Sequence, residues 1–145
     1  MRPPIRIAFT LAAILAGCSG AAAPTAQPSL AAAAVTIKAG APGDGDTASL
    51  LRFSPSTFEI KSGDVVQVVD AGDTLHDLTI DTSGAVPAKP GDQHVAVRIS
   101  VDLANKTNQA AINLPPGTYQ FYCSIDLGNG AGHALNGMVG TLTVH

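Results

Sequence analysis

The strongest constraint on this chain is its punctuation. From Val35 onward, apolar and β-branched runs of four to eight residues alternate with clusters of Gly, Pro and Asp, and no amphipathic helix of ten residues fits between them. The runs are VTIK at 35–38, SLLRF at 49–53, TFEI at 57–60, DVVQVVD at 64–70 and HDLTID at 76–81. HVAVRISV at 94–101, QAAINL at 109–114, TYQFYC at 118–123 and VGTLTV at 139–144 complete the series. Between them stand APGDGDT, KSGD, AGDT, AKPGDQ and LPPGT, whose residues supply turn geometry. About eight strands at this spacing predict an all-β fold, an antiparallel β-sandwich with Greek-key connections. A chain of 145 residues has room for one such domain. With 46% hydrophobic and 13% charged residues it is too apolar to be disordered.

The first 34 residues do not join this pattern. MRPPIR is a short basic opening, followed by IAFTLAAILAG, an apolar run of 11 residues. A bilayer span needs about 20 residues, so the run reads as an export signal over 1–17 and not as an anchor helix. It ends in LAGC, Leu15 to Cys18, which resembles the lipobox of bacterial lipoproteins. That resemblance implies cleavage before Cys18, lipidation of its sulfur, and a protein tethered to a membrane in the periplasm or at the cell surface. Ordinary signal cleavage near the following Ala run is the alternative, and it too exports the chain. Residues 18–34, rich in Ala and Pro and uncharged, read as a tether, leaving 35–145 as the domain.

Losing Arg2 and Arg6 with the leader leaves six Lys/Arg against eleven Asp/Glu. An acidic chain with scattered lysines lacks the basic patch that phosphate binding requires, so nucleic acid is excluded as a partner. With Cys18 used or removed, Cys123 has no partner within the chain. A lone exported cysteine is an intermolecular disulfide, a reactive thiol, a metal ligand or an inert buried residue.

Strand parity sorts the remaining candidates, because side chains repeat every two residues along a strand. His76 shares parity with Leu78 and Ile80, Cys123 continues the row of Tyr119 and Phe121, and Met138 continues that of Leu142 and Val144. Three strands thus carry His, Cys and Met at an end of a core-facing row. His94 precedes the inward row Val95, Val97, Ile99 and Val101 and falls on the opposite face. His145 ends the chain and has no assigned direction.

Imidazole, thiolate and thioether are donors that a hard cation would not select, and Met is a poor zinc ligand. The stretch LRFSPSTFEIKSGDVVQVVDAGDTLHDLTID, followed by LPPGTYQFYC and GHALNGMVGTLTV, resembles the cupredoxins, the plastocyanin- and azurin-like blue copper proteins. The resemblance implies one type 1 copper ion held by His76, Cys123, His133 and Met138. It also implies a hydrogen bond between the residue after the first His, Asp77, and the residue after the Cys, Ser124. One departure stands out. Relatives have two to four residues between Cys and His, whereas SIDLGNGAG places nine. Loop closure grows by about 0.6 kcal/mol per doubling, so the insertion does not prevent a shared metal. Gly128, Gly130 and Gly132 let it bulge outward, with His133 expected beneath, near the surface. A rival register makes Asp126 a ligand in place of His133.

The function implied is not enzymatic: a carrier shuttling single electrons between redox proteins such as cytochromes or oxidases, with no small-molecule substrate and a monomeric domain. The alternatives are a protein that binds or delivers copper without shuttling electrons, and a metal-free envelope module.

Overall fold

The computed structural model describes residues 31–45, 47, 49–84, 94–126 and 132–145. The leader, Cys18, most of the tether, the AKPGDQ turn and residues 127–131 lie outside the described residues. Among those described, no helix is long and apolar enough to cross a membrane.

Among the described residues, nine strands form two sheets. They are β1 (Val35–Ala39), β2 (Phe53–Ser54), β3 (Thr57–Ile60), β4 (Val65–Asp70), β5 (His76–Asp81), β6 (Val95–Val101), β7 (Thr107–Ala111), β8 (Gly117–Tyr122) and β9 (Val139–Val144). One sheet has the order β2-β1-β4-β7 and the other β3-β9-β8-β5-β6. The all-β sandwich expectation holds, with three differences in detail. The count is nine rather than about eight. Two pairings, β1 with β4 and β3 with β9, are parallel, so the sheets are mixed rather than purely antiparallel. The expected strand at 49–53 shrinks to Phe53–Ser54, because the Leu50 and Leu51 amides turn back to the Thr47 carbonyl. The strand expected at 109–114 lies at Thr107–Ala111, although Ile112 still donates to the Asp64 carbonyl past its end.

Alternation places the core. Ile37, Val66, Val68, Leu78, Ile80, Ile99, Val101, Ile112, Phe121 and Leu142 are buried in one cluster between the sheets. Phe121 is its centre, with the Phe53 ring edge-on at 5.1 Å and the Phe58 ring at 5.3 Å between centroids. Burying aromatic rings against one another adds about 0.5–1.5 kcal/mol per pair beyond the area removed from water. The ladders of β8 with β5 and with β9 hold these three strands side by side, and the chemistry-bearing side chains lie at their ends.

Candidate metal centre

His76 opens β5, Cys123 follows the last residue of β8, and Met138 precedes the first residue of β9. The ladders explain why they converge. The β8–β9 register pairs Phe121 with Gly140 and Tyr122 with Val139, and the Cys123 amide extends it by donating to the Met138 carbonyl at 3.1 Å. Directly opposed residues of a ladder project from the same face, so both sulfur-bearing side chains enter the core side. The β5–β8 register pairs Ile80 with Phe121, which sets Leu78 opposite Cys123 and puts His76 one pleat further along that face.

The second histidine arrives by a turn. The amides of Asn136 and Met138 both donate to the His133 carbonyl, at 3.1 and 3.0 Å. Gly137 between them has φ +95°, a left-handed conformation that favours glycine. That geometry converts the His-to-Met step into a closed turn, fixing His133 and Met138 together.

The nine-residue stretch between Cys123 and His133 is pinched at its base. The His133 amide donates to the Ile125 carbonyl at 2.9 Å, and a Cβ on Gly132 would approach that same oxygen to 2.9 Å. Only Ser124 and Ile125 then separate Cys123 from the neck. The Cys–His spacing is therefore short in space.

The result is a buried cluster. Donor atoms of His76, Cys123 and His133 all lie within 4.8 Å of one another. Cys123 Sγ is 3.4 Å from His133 Nδ1, and the two imidazole rings are 5.1 Å apart between centroids. His76, Cys123, His133 and Met138 are each fully inaccessible to solvent. His133, expected beneath the bulge, is closed off from solvent. Asp126 is exposed and stands outside the cluster, and so do His94, at the rim of β6, and His145, which meets Glu59 at 2.9 Å.

Polar contacts around the cluster lock its pieces. Asp77 Oδ1 accepts from the Ser124 amide at 2.6 Å, and Asp77 Oδ2 accepts from Ser124 Oγ, the link expected between these residues. Thr79 Oγ1 donates to Asp77 Oδ1 at 3.2 Å, and Arg98 lies 3.7 Å from Oδ2. Asp77 is thus a buried strut and not a solvated surface residue. Its amide also donates to Cys123 Sγ at 3.4 Å, a contact that favours thiolate over thiol. In the metal-free protein burial dominates and pushes the Cys123 thiol up to about 12. The Asp77 charge adds to the rise, and amide bonds from Asp77 and Ile125 oppose it.

Asp44 was not legible as part of this region. Its carboxylate Oδ2 lies 2.9 Å from His76 Nε2, with both side chains fully buried. Burial pushes the Asp44 carboxyl up, but hydrogen bonds from the Asp73 amide and His76, attraction to His76 and a bond from the Gly45 amide hold it below its ordinary value. The segment APGDGDT gives only a turn signal, and nothing local says that residue 44 meets residue 76.

These donors fit a soft metal ion. A carboxylate only accepts hydrogen bonds, so in the neutral ring His76 Nε2 carries the proton toward Asp44 and Nδ1 keeps its lone pair. That Nδ1 is buried and has no hydrogen-bond partner. An acceptor so placed beside a thiol and a second imidazole fits a soft cation.

Two β-sheets closing on such a nitrogen–sulfur cluster define a sandwich-type metalloprotein of the soft-donor class. The chain belongs to the cupredoxins: the family model described as copper binding proteins, plastocyanin/azurin family, matches residues 39–145. It is 32% identical over 105 residues to plastocyanin of Nostoc punctiforme, covering 69% of this chain and 69% of that one. Chloroplastic plastocyanin of Oryza sativa subsp. indica is 29% identical over 101 residues, 70% of this chain, although the chain spans only 60% of that relative's length. A solved structure of a mutant plastocyanin of fern is similar, with TM-score 0.53 and 25% identity, covering 76% of this chain and 99% of that one. Family membership and the His–Cys–His cluster together assign one type 1 copper ion as the cofactor.

Proposed function

We propose that the protein carries single electrons between larger redox proteins, with the copper held by His76, Cys123, His133 and Met138. The observation that carries this reading is the buried His76–Cys123–His133 triad, whose donor atoms fall within 4.8 Å of one another. Cys123 would hold the ion through its sulfur and His76 and His133 through ring nitrogens, and Met138, opposite Cys123 on the β8–β9 ladder, would add a weak thioether donor. When bound there, the copper would supply a one-electron couple.

The chain's own residues do the rest. The β8–β9 ladder, the closed turn through Gly137 and the neck at Ile125 fix the donors before any metal arrives. A preformed, dry site changes little between oxidation states, which favours fast exchange. The family's electron carriers and the absence of any need for a substrate pocket both speak against an enzymatic role.

For placement, we read 1–17 as an export leader and 18–34 as a tether lipidated at Cys18, with 35–145 as the copper domain. Membrane fractions of cells making the full chain should contain it. Recovery in soluble extract alone contradicts the anchor while leaving the copper reading intact.

Copper delivery without electron shuttling would use the same donors. Voltammetry and rapid mixing with a cytochrome separate the two. A reversible one-electron wave with rapid exchange supports the carrier. Slow exchange, together with ready transfer of Cu(I) to a metal-free acceptor, would overturn it in favour of delivery.

A further inference from the structure

His76 is supported from behind by a carboxylate that comes from a separate loop, 32 residues earlier in the chain. We propose that Asp44 is a positioning residue of the copper centre: it holds His76 as the Nε2–H tautomer with Nδ1 free for the metal, and its buried negative charge favours the oxidised over the reduced ion. The proposal rests on the reading of His76 as a ligand.

Several independent features mark the pair as built. Asp44 and His76 are both fully buried, and Oδ2 to Nε2 is 2.9 Å. Two glycines clear the space they occupy. A Cβ on Gly72 would lie 1.9 Å from Asp44 Oδ2 and 2.9 Å from His76 Nε2. A Cβ on Gly40, where φ is +75°, would lie 2.5 Å from that oxygen and 2.4 Å from that nitrogen. Any side chain at either position would displace the contact.

The other carboxylate oxygen is held too. Asp44 Oδ1 accepts from the Asp73 amide at 3.0 Å and from Thr74 Oγ1 at 3.5 Å. Asp73 returns the clasp by accepting from the Gly43 amide at 2.7 Å. The loops before β2 and before β5 are therefore cross-tied through these two aspartates. Among the described residues only His76 makes an ion-pair contact with Asp44. Lys106, whose Nζ bonds the Gly72 carbonyl at 3.4 Å, directs its charge to Asp70 at 3.6 Å.

The consequences follow from charge and geometry. A carboxylate bonded to the far nitrogen of a ligating imidazole fixes the ring's tautomer and orientation and makes the ring a stronger donor. Buried charge is weakly screened, so its effect on a nearby ion persists at ordinary salt. A negative charge stabilises Cu(II) more than Cu(I), which lowers the reduction potential.

The test combines nitrogen-15 NMR of the histidine rings with voltammetry on the full chain. In wild-type, metal-free protein, His76 should show a protonated Nε2 and a bare Nδ1, and adding Cu(I) should shift the Nδ1 signal. Asp44→Asn keeps the size and an acceptor oxygen but removes the charge. It should retain the visible band while its relative preference for Cu(I) rises tenfold or more, a potential about 59 mV higher for a one-electron couple. A protonated Nδ1 in the wild type overturns the proposal without any variant having to fold, and so does a potential in Asp44→Asn that moves less than twofold in relative affinity. An Nδ1 signal that Cu(I) leaves unmoved is a different failure: it removes His76 from the ligand set, and the proposal with it.

Discussion

At the scale of single residues, parity carried most of the site. His76, Cys123 and Met138 each continue an apolar row of period two, so their core-facing direction is readable from the chain, and all three are fully buried. His133 lies on no strand, and its role came only from its resemblance to a family pattern. Asp44 was invisible for a physical reason. Its partner is fixed by the closure of two loops in space, and turn-forming sequence carries no record of what a turn will touch.

Cys123 also yields a pH prediction. Its thiol is pushed from an ordinary value of 9.0 to about 12 in the metal-free fold, chiefly by burial. The folded state therefore holds the proton more tightly than the unfolded state. This contribution is fully present below pH 9 and falls away as pH rises from about 9 toward 12. Metal-free wild type should lose more stability across that window than Cys123→Ala, with a difference on the order of a few kcal/mol. Urea unfolding at pH 8 and pH 10.5 measures it, and parallel losses in the two proteins would contradict the assignment. Copper uptake at neutral pH must likewise expel the thiol proton.

At the scale of elements, the strands were mostly legible but their partners were not. Periodicity says that TFEI and VGTLTV are strands. It does not say that they run parallel as β3 and β9, because that pairing depends on which edge of the sheet each one reaches. The β2 run misled because Leu51 is buried from a turn rather than from a strand, and an apolar residue looks the same in either setting. The long spacing before His133 was expected to allow a shared metal, and the bond from the His133 amide to the Ile125 carbonyl shows how the two ends of that stretch are brought together.

Gly140 shows how closely β9 is fitted to the site-bearing strand. It opposes Phe121, and a Cβ there would lie 2.1 Å from the ring's Cζ and 2.5 Å from the Ser56 carbonyl oxygen. That same carbonyl accepts from the Thr141 amide at 2.8 Å and helps hold β3 to β9. Gly140→Ala should therefore destabilise the protein by about 1–3 kcal/mol through overpacking. Chemical denaturation of the metal-free protein checks this, and a midpoint shift equivalent to less than 0.5 kcal/mol, a value ordinary for surface changes, would contradict it.

For the whole molecule, the sandwich is a rigid holder for donors drawn from distant parts of the chain. The β5–β8 ladder sets the spacing of those two strands, and so the approach of His76 to Cys123, while Phe121 packs against Phe53 and Phe58 from the two sheets. Such a molecule needs no moving part to do its work. Its domain is acidic overall, and its soft donors lie in the interior.

The most direct test of this account is the visible absorption of the full chain as it is titrated with Cu(II), compared with Cys123→Ser. A single sulfur–copper charge-transfer band should grow to one equivalent in the wild type and be missing in the variant. A wild-type protein that binds copper yet stays colourless, or a Cys123→Ser variant that keeps the band, would contradict the claim that Cys123 and the two histidines grip one copper ion.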